Sequence, residues 1–252
     1  MQSAETTPPW VVLVPLKPLT AAKSRLDHPD RGALALAMAL DTASAALDAG
    51  SDVVGAVIVV TDDRVARDAL AALTVARPAA GAGSGSGGGG GGAGRTTGEQ
   101  RAGRLLVAAD EPNRGLNPAI AHAAALARRL HPGWGAAAIS ADLPALRPQE
   151  LRRALAAAPR AGRSVLADAV GTGTVLLCAA PGTELGPRFG TGSFTAHRAS
   201  GATDLTALLA DQVPGLRRDV DTVADLATAR ALGLGPATAR VLAASPSPRS
   251  AA

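Results

Sequence analysis

The stretch Trp10-Val11-Val12-Leu13-Val14-Pro15-Leu16-Lys17-Pro18-Leu19-Thr20-Ala21-Ala22-Lys23-Ser24-Arg25-Leu26 joins an apolar run to a loop with three cations. Residues 10–14 carry no charged side chain, as a strand buried on both faces of a parallel sheet requires. Pro15 and Pro18 end the strand and stiffen the loop after it, because proline has a fixed φ and no N–H to give a ladder. Lys17, Lys23 and Arg25 then bring permanent positive charge together, and Lys17 and Lys23 are the only lysines in the chain. A strand ending in converging cations suits a polyphosphate. An ordinary solvated loop is the alternative that spacing alone leaves open.

Downstream, strand and helix patterns alternate. Asp30 is placed to cap a helix over 31–48, stopped by Gly50. Asp41 falls inside its apolar part, as a polar-face or a site residue. Val53–Thr61 is β-branched and nearly continuous, a second strand. Asp62 and Asp63 at its end are read as cap or ligand contact. A helix over 64–73 follows, then a short edge strand at Thr74-Val75-Ala76. Leu105–Ala108 and Ala136–Ser140 are further strands. Between them Asn117-Pro118 reads as an N-cap with a first-turn proline, and Arg128 and Arg129 suit that helix's C-terminal end. A helix near 148–158 precedes a fifth strand, Ser164–Asp168. The apolar run Val175–Cys178 follows, then a short helix holding His197 and Arg198. Leu216–Asp221 is expected to close the sheet. Thr222 and Asp225 form a helix-start box, and a last helix covers 237–243. The pattern predicts a three-layer α/β/α fold with a mostly parallel central sheet, as one domain over residues 10–243. Residues 1–9 and 244–252 read as loose tails. Residues 78–104, all Gly, Ser and Ala between 81 and 94, read as a flexible insertion with no Gly-x-x-x-x-Gly-Lys-Ser/Thr phosphate cradle.

Composition narrows the function. The 252 residues can bury a sizeable core, and 47% are hydrophobic, so the chain is globular. Only 2% are aromatic and the net charge is +4, without the basic, aromatic-interleaved face of a nucleic-acid binder. The one cysteine, Cys178, rules out a disulfide framework and a cysteine zinc site, and its apolar strand makes it a buried, inert thiol. No run approaches the roughly 18 apolar residues of a membrane span, and Met1–Pro9 lacks a secretory leader's pattern, so a cytoplasmic protein is expected. His28, His122, His131 and His197 show no metal-ligand spacing and read as surface or helix residues.

The acids carry the chemistry. Asp142 ends a central strand, and Asp219 and Asp221 a late one. Two carboxylates meeting at that edge can hold Mg²⁺, which prefers oxygen ligands completed by substrate phosphates. Helix caps and turns are the alternative. Thr172, Thr174, Gly190 and Ser193 offer hydroxyls and glycine N–H groups to a small phosphate or carboxylate, with Arg188, His197 and Arg198 nearby. No nucleophilic triad stands out.

These stretches, taken in order, closely resemble the CofC/FbiD guanylyltransferases. The resemblance is carried by Val14-Pro15-Leu16-Lys17-Pro18-Leu19 with Ala22-Lys23-Ser24-Arg25-Leu26, then Gly115-Leu116-Asn117 and Ala141-Asp142-Leu143-Pro144. It continues through Gly171-Thr172-Gly173-Thr174, Pro187-Arg188-Phe189-Gly190 to Ser193, and Asp219-Val220-Asp221-Thr222. It covers about residues 10–240, apart from the glycine-rich stretch. It implies a GT-A-like, Rossmann-like nucleotidyltransferase fold. It implies transfer of GMP from GTP to phosphoenolpyruvate or 2-phospho-L-lactate in coenzyme F-420 biosynthesis. The actinobacterial branch uses phosphoenolpyruvate, and the composition fits that branch. The resemblance further implies that Asp142 binds Mg²⁺ with a second acid, Asp221, while Asp219 and Asp168 stay open as alternatives. Lys17, Lys23 and Arg25 match the nucleotide-phosphate loop, Gly115 and Asn117 lie near the guanosine, and Thr174, Gly190 and Ser193 match the phosphoenolpyruvate positions. A homodimer is left open. The rival readings are 3-phosphoglycerate as acceptor, a molybdopterin nucleotidyltransferase, whose loop pattern is missing, and a non-catalytic nucleotide-binding module.

Overall fold

A computed structural model describes residues 8–20, 23, 25–74, 101–111 and 113–245. The other tail residues and residues 75–100 of the glycine-rich stretch lie outside the described residues.

The apolar runs form one seven-stranded sheet: β1 (Trp10–Pro15), β2 (Val54–Val60), β3 (Leu105–Ala108), β4 (Gly135–Ile139), β5 (Arg163–Ala167), β6 (Thr174–Ala179) and β7 (Ala202–Asp204). Their order is β3-β2-β1-β4-β6-β5-β7. Every pair is parallel except those of β6, which runs antiparallel to both β4 and β5. The short link Asp168–Gly173 imposes that reversal, since a parallel return needs a crossover of a dozen or more residues. Asp168 shapes the link by accepting the N–H groups of Gly171, Thr172 and Gly173.

β1 shows why its sequence is apolar throughout. Val12 and Val14 pack into the core on one face and Val11 and Leu13 into the core on the other. Helix α1 (Arg31–Leu47), α2 (Arg64–Ala71) and α4 (Pro148–Ala157) supply side chains to the first core, and α3 (Leu116–Leu130) to the second. Helix α5 (Ser193–Ala199) and the one-turn α6 (Thr206–Leu209) flank the far edge, beside β5 and β7. Helices α7 (Val223–Leu232) and α8 (Pro236–Ala244) close a smaller third cluster around Leu34 and Met38 of α1. The three layers are those expected.

Several local expectations change. Leu216–Asp221 is not a strand; the sheet ends on β7. Glu150 of α4 accepts the N–H groups of Gly215 and Leu216, and Val220 N–H donates to the Asp142 carbonyl, so the segment runs as turns and loop, with Leu216 and Val220 buried. Gly215 has no room for a side chain, because a Cβ would collide with the Ala145 carbonyl. Thr74 ends a 3₁₀ turn (Ala72–Thr74) rather than starting a strand. Asp30 precedes α1 without a capping hydrogen bond; its carboxylate accepts from Ser245 Oγ instead, which ties down the end of α8. Arg101 and Arg104, at the end of the expected insertion, are also anchored, to Asp48 and to the Val54 carbonyl.

Asp41 has a structural task. It is buried, and its two oxygens accept Ala237 N–H and Thr238 N–H at 2.9 and 2.8 Å, satisfying the first turn of α8. Burial pushes its carboxyl above the ordinary value, and these N–H groups act against that.

Candidate active site

Strand direction brings the chemistry to one edge. Strands β1, β4 and β5 end there, and β6, being antiparallel, begins there. A cavity of about 380 Å³ opens at this edge, lined by Lys17, Lys23, Arg25, Asp142, Asp221 and Phe189 among others.

Asp142 follows β4 on a loop gripped from α1. The buried Thr42 Oγ1 accepts Leu143 N–H at 3.2 Å and lies 3.2 Å from the Ala141 carbonyl, bracketing Asp142. Asp221 precedes α7, whose start is fixed by the expected box: Thr222 accepts Asp225 N–H, and the Asp225 carboxylate accepts Thr222 N–H. The Val220-to-Asp142 bond joins the two loops. Lys23 Nζ then donates to both acids, to Asp142 Oδ2 and to Asp221 Oδ1 at 3.0 Å. Its side chain is only 9% exposed, against 22% for Asp142 and 55% for Asp221. Burial alone would lower the Lys23 ammonium; Asp142 and then Asp221 outweigh it and hold it above its ordinary value. Lys17 and Arg25 line the same cavity from exposed positions. Their loop is pinned by Asp63, which accepts Leu19 N–H with one oxygen and caps α2 through Ala66 N–H with the other.

The alternatives for a second metal acid separate here. The oxygens of Asp168 are taken up by its own turn. Asp219 does not line the cavity; burial first, then Asp142, Asp168 and Asp221, push its carboxyl up to about 7. Asp142 and Asp221 are the acids that converge on one cation. Among the described residues no group of three or more His, Cys, Asp and Glu side chains is poised for a metal. Two carboxylates are the set that a hard divalent ion uses when substrate phosphates and water complete its shell.

Gly115 and Asn117 are placed differently from expectation. Helix α3 starts at Leu116, so the N-cap is Gly115, at a φ of +102° that side chains rarely adopt. Asn117 lies inside the first turn and does not cap. Its Nδ2 donates to the Phe189 carbonyl at 2.9 Å and its Oδ1 accepts Phe189 N–H at 2.7 Å. Asn117 thus clamps the 187–190 loop against α3, whose Leu116 and Ile120 line the cavity.

Thr174, Gly190 and Ser193 do not line the main cavity; they form a corner beside it. The Gly190 carbonyl accepts Ser193 N–H at 3.1 Å, and Phe194 N–H donates to Thr172 across the turn. Thr174 and Ser193 are buried, and Phe189, next to Gly190, faces the cavity.

No family model matches the chain. It is 54% identical over 235 residues to the phosphoenolpyruvate guanylyltransferase of Frankia casuarinae, covering 93% of this chain and 77% of that one. It is 48% identical over 238 residues to the enzyme of the same name from Streptomyces coelicolor, covering 93% and 96%. The chain belongs to the phosphoenolpyruvate guanylyltransferase family. It is therefore a nucleotidyltransferase, and its sheet is the α/β sheet of that fold. Among solved structures, Rv0371c of Mycobacterium tuberculosis superposes with a TM-score of 0.50 at 20% identity, over 90% of this chain and 99% of that one. Among the described residues no helix is long and apolar enough to cross a membrane.

In this guanylyltransferase fold His197 lies on a helix, one of the two places the sequence left open for it. His197 is not a surface residue but fully buried. It stands between Thr174 Oγ1, 3.0 Å from Nδ1, and Arg188 N–H, 2.8 Å from Nε2. A histidine on a short helix gives no periodic signal that tells such a role from an exposed one. Burial, with the charges of Arg163 and Arg188, pushes its imidazole down from 6.5 to about 4. The unfolded chain therefore takes up a proton in that window that the folded chain refuses. The stability of the neutral, buried ring is complete above pH 6.5 and declines as pH falls to about 4. The full loss is about 3 kcal/mol. The melting temperature should fall across this window, and His197→Asn should flatten that fall. An unchanged pH slope in the variant would assign the acid sensitivity to other groups. Cys178, by contrast, is as read: buried, with burial pushing its thiol up to about 12.

Proposed function

We propose that this chain transfers GMP from GTP to phosphoenolpyruvate, giving enolpyruvyl-diphospho-5'-guanosine and pyrophosphate. The observation that carries the reading is one cavity lined by Lys17, Lys23, Arg25, Asp142 and Asp221, with the Thr174–Gly190–Ser193 corner beside it. The three cations face the triphosphate. Leu116 and Ile120, at the start of α3, border the guanosine, with Gly115 and Asn117 shaping that border. Thr174, Gly190 and Ser193 hold the phospho-acid.

A phosphate oxygen of the acceptor attacks the α-phosphorus of GTP in line. The bond to the bridging oxygen breaks, and its electrons leave with pyrophosphate. That oxygen is already ionised near neutral pH, so no strong base is needed. Catalysis comes from positioning and from neutralising charge. Asp142 and Asp221 would hold Mg²⁺, a reading supported by their convergence on the Lys23 ammonium. The ion, when bound, neutralises phosphate charge. The chain's own part is to hold the acids through Thr42 and the α7 box, and to aim Lys17, Lys23 and Arg25 at the phosphates. Residues 10–243 act as one catalytic domain, in the cytoplasm, and the product serves coenzyme F-420 assembly.

Pyrophosphate release tests this directly. GTP with phosphoenolpyruvate should release it, and ATP or CTP should not. Faster release with 2-phospho-L-lactate or 3-phosphoglycerate would change the acceptor. No release with any of them would overturn the enzymatic reading.

A further inference from the structure

The acceptor corner contains a buried titratable ring with no part in the chemistry above. A backbone N–H can only donate, so His197 Nε2, facing Arg188 N–H, carries no proton. The neutral ring must then carry its proton on Nδ1, which faces Thr174 Oγ1. A charged ring would set two donors against each other at Nε2, and the Arg163 and Arg188 charges oppose it further. Thr174 is therefore the acceptor in this bond. Its own proton is committed to no partner among the described hydrogen bonds. Had the ring held the other tautomer, Thr174 would spend its proton on Nδ1 and turn a lone pair toward any incoming anion.

We infer that His197 is a positioning residue that makes the Thr174 hydroxyl a committed donor to an oxyanion of the phospho-acid. This rests on the reading of Thr174 as an acceptor-binding residue. The arrangement polarises the hydroxyl as well as aiming it, because a hydroxyl that accepts one hydrogen bond donates a stronger one. The Arg188 N–H sets the tautomer, and the same bond fixes the loop that carries Gly190. Asn117 holds the next residue, Phe189, from the opposite side. One loop thus sets the hydroxyl's direction and closes the cavity wall.

Two amide variants separate these duties. In His197→Asn the side-chain nitrogen falls near Nδ1 and still donates to Thr174. In His197→Gln the amide oxygen reaches the place of Nε2 and holds Arg188 N–H, but leaves the Thr174 hydroxyl free to turn. His197→Gln should raise the KM for phosphoenolpyruvate about tenfold, as for a lost hydrogen bond to a charged group, with the KM for GTP unchanged. His197→Asn should recover most of that loss. Thr174→Val should raise the same KM, and adding His197→Gln to it should cost nothing further. In the unmodified protein, nitrogen-resolved NMR of the His197 ring near neutral pH should show a neutral, Nδ1-protonated imidazole. An Nε2-protonated or charged ring overturns the inference whatever the variants do. A normal KM for phosphoenolpyruvate in His197→Gln, beside a defective Thr174→Val, overturns the inference alone. A normal KM in Thr174→Val overturns the underlying reading of Thr174. Equal rises in both KM values for His197→Gln assign His197 to folding only.

Discussion

Asp142→Asn should lower kcat by about a thousandfold while the protein stays folded. The substitution keeps the size and planar shape of the side chain and removes one charge. Thr42 holds the loop through the backbone of Ala141 and Leu143, so the side chain's place is preserved. Lys23 keeps Asp221 as a partner at 3.0 Å, so no buried ammonium is left without a counter-ion. What disappears is the less exposed of the two carboxylates proposed to hold the divalent ion. Asp221 is more than half exposed and cannot replace it, because water competes for its charge. Circular dichroism and the melting curve should stay close to those of the unmodified protein. Turnover within about tenfold of normal, at saturating Mg²⁺, would remove Asp142 from the metal site. Loss of folding would instead make its structural bond to Lys23 the dominant role.

Local pattern made much of the framework legible. β1, β2 and β4 are buried on both faces, and unbroken apolar runs announce that. The capping box at Thr222 and Asp225 is local, and it was visible for that reason. β7 is three residues long, Ala202–Asp204, too short for periodicity to register. The Leu216–Asp221 segment misled for the opposite reason. Its position after the last apolar turn suggested a closing strand, but Glu150, 66 residues before Leu216, claims the Leu216 N–H, and Val220 N–H goes to the Asp142 carbonyl. The site divides in the same way. Asp142 and the loop cations stand at strand ends, where ligands gather in such sheets. Asn117 and His197 act through backbone atoms 72 and 9 residues away, and their side chains alone suggested a cap and a surface or helix group. Burial and partner, which decide such roles, are tertiary properties.

Lys23 shows how far these two kinds of information must be combined. The sequence places it in a cationic loop, and the fold brings it against acids 119 and 198 residues away. It sits at a φ of +56°, unusual for a side-chain-bearing residue, and Leu26 N–H donates to its carbonyl to hold the turn. Lys23→Ala keeps that backbone requirement and removes the ammonium. The phosphates of GTP would then meet Asp142 and Asp221 with less opposing charge in the cavity. kcat/KM for GTP should fall by about a hundredfold. The KM for phosphoenolpyruvate should stay within about twofold, because Thr174, Gly190 and Ser193 share no bond with Lys23. Lys17 and Arg25 soften the loss but do not prevent it, since both are exposed and their charges are screened by water. The loss should also deepen as salt rises, because the two remaining cations are the screened ones. A fall confined to phosphoenolpyruvate would assign Lys23 to the acceptor. Unchanged kinetics for both substrates would leave it a structural counter-ion for Asp142 and Asp221, and the triphosphate would then depend on Lys17 and Arg25 alone.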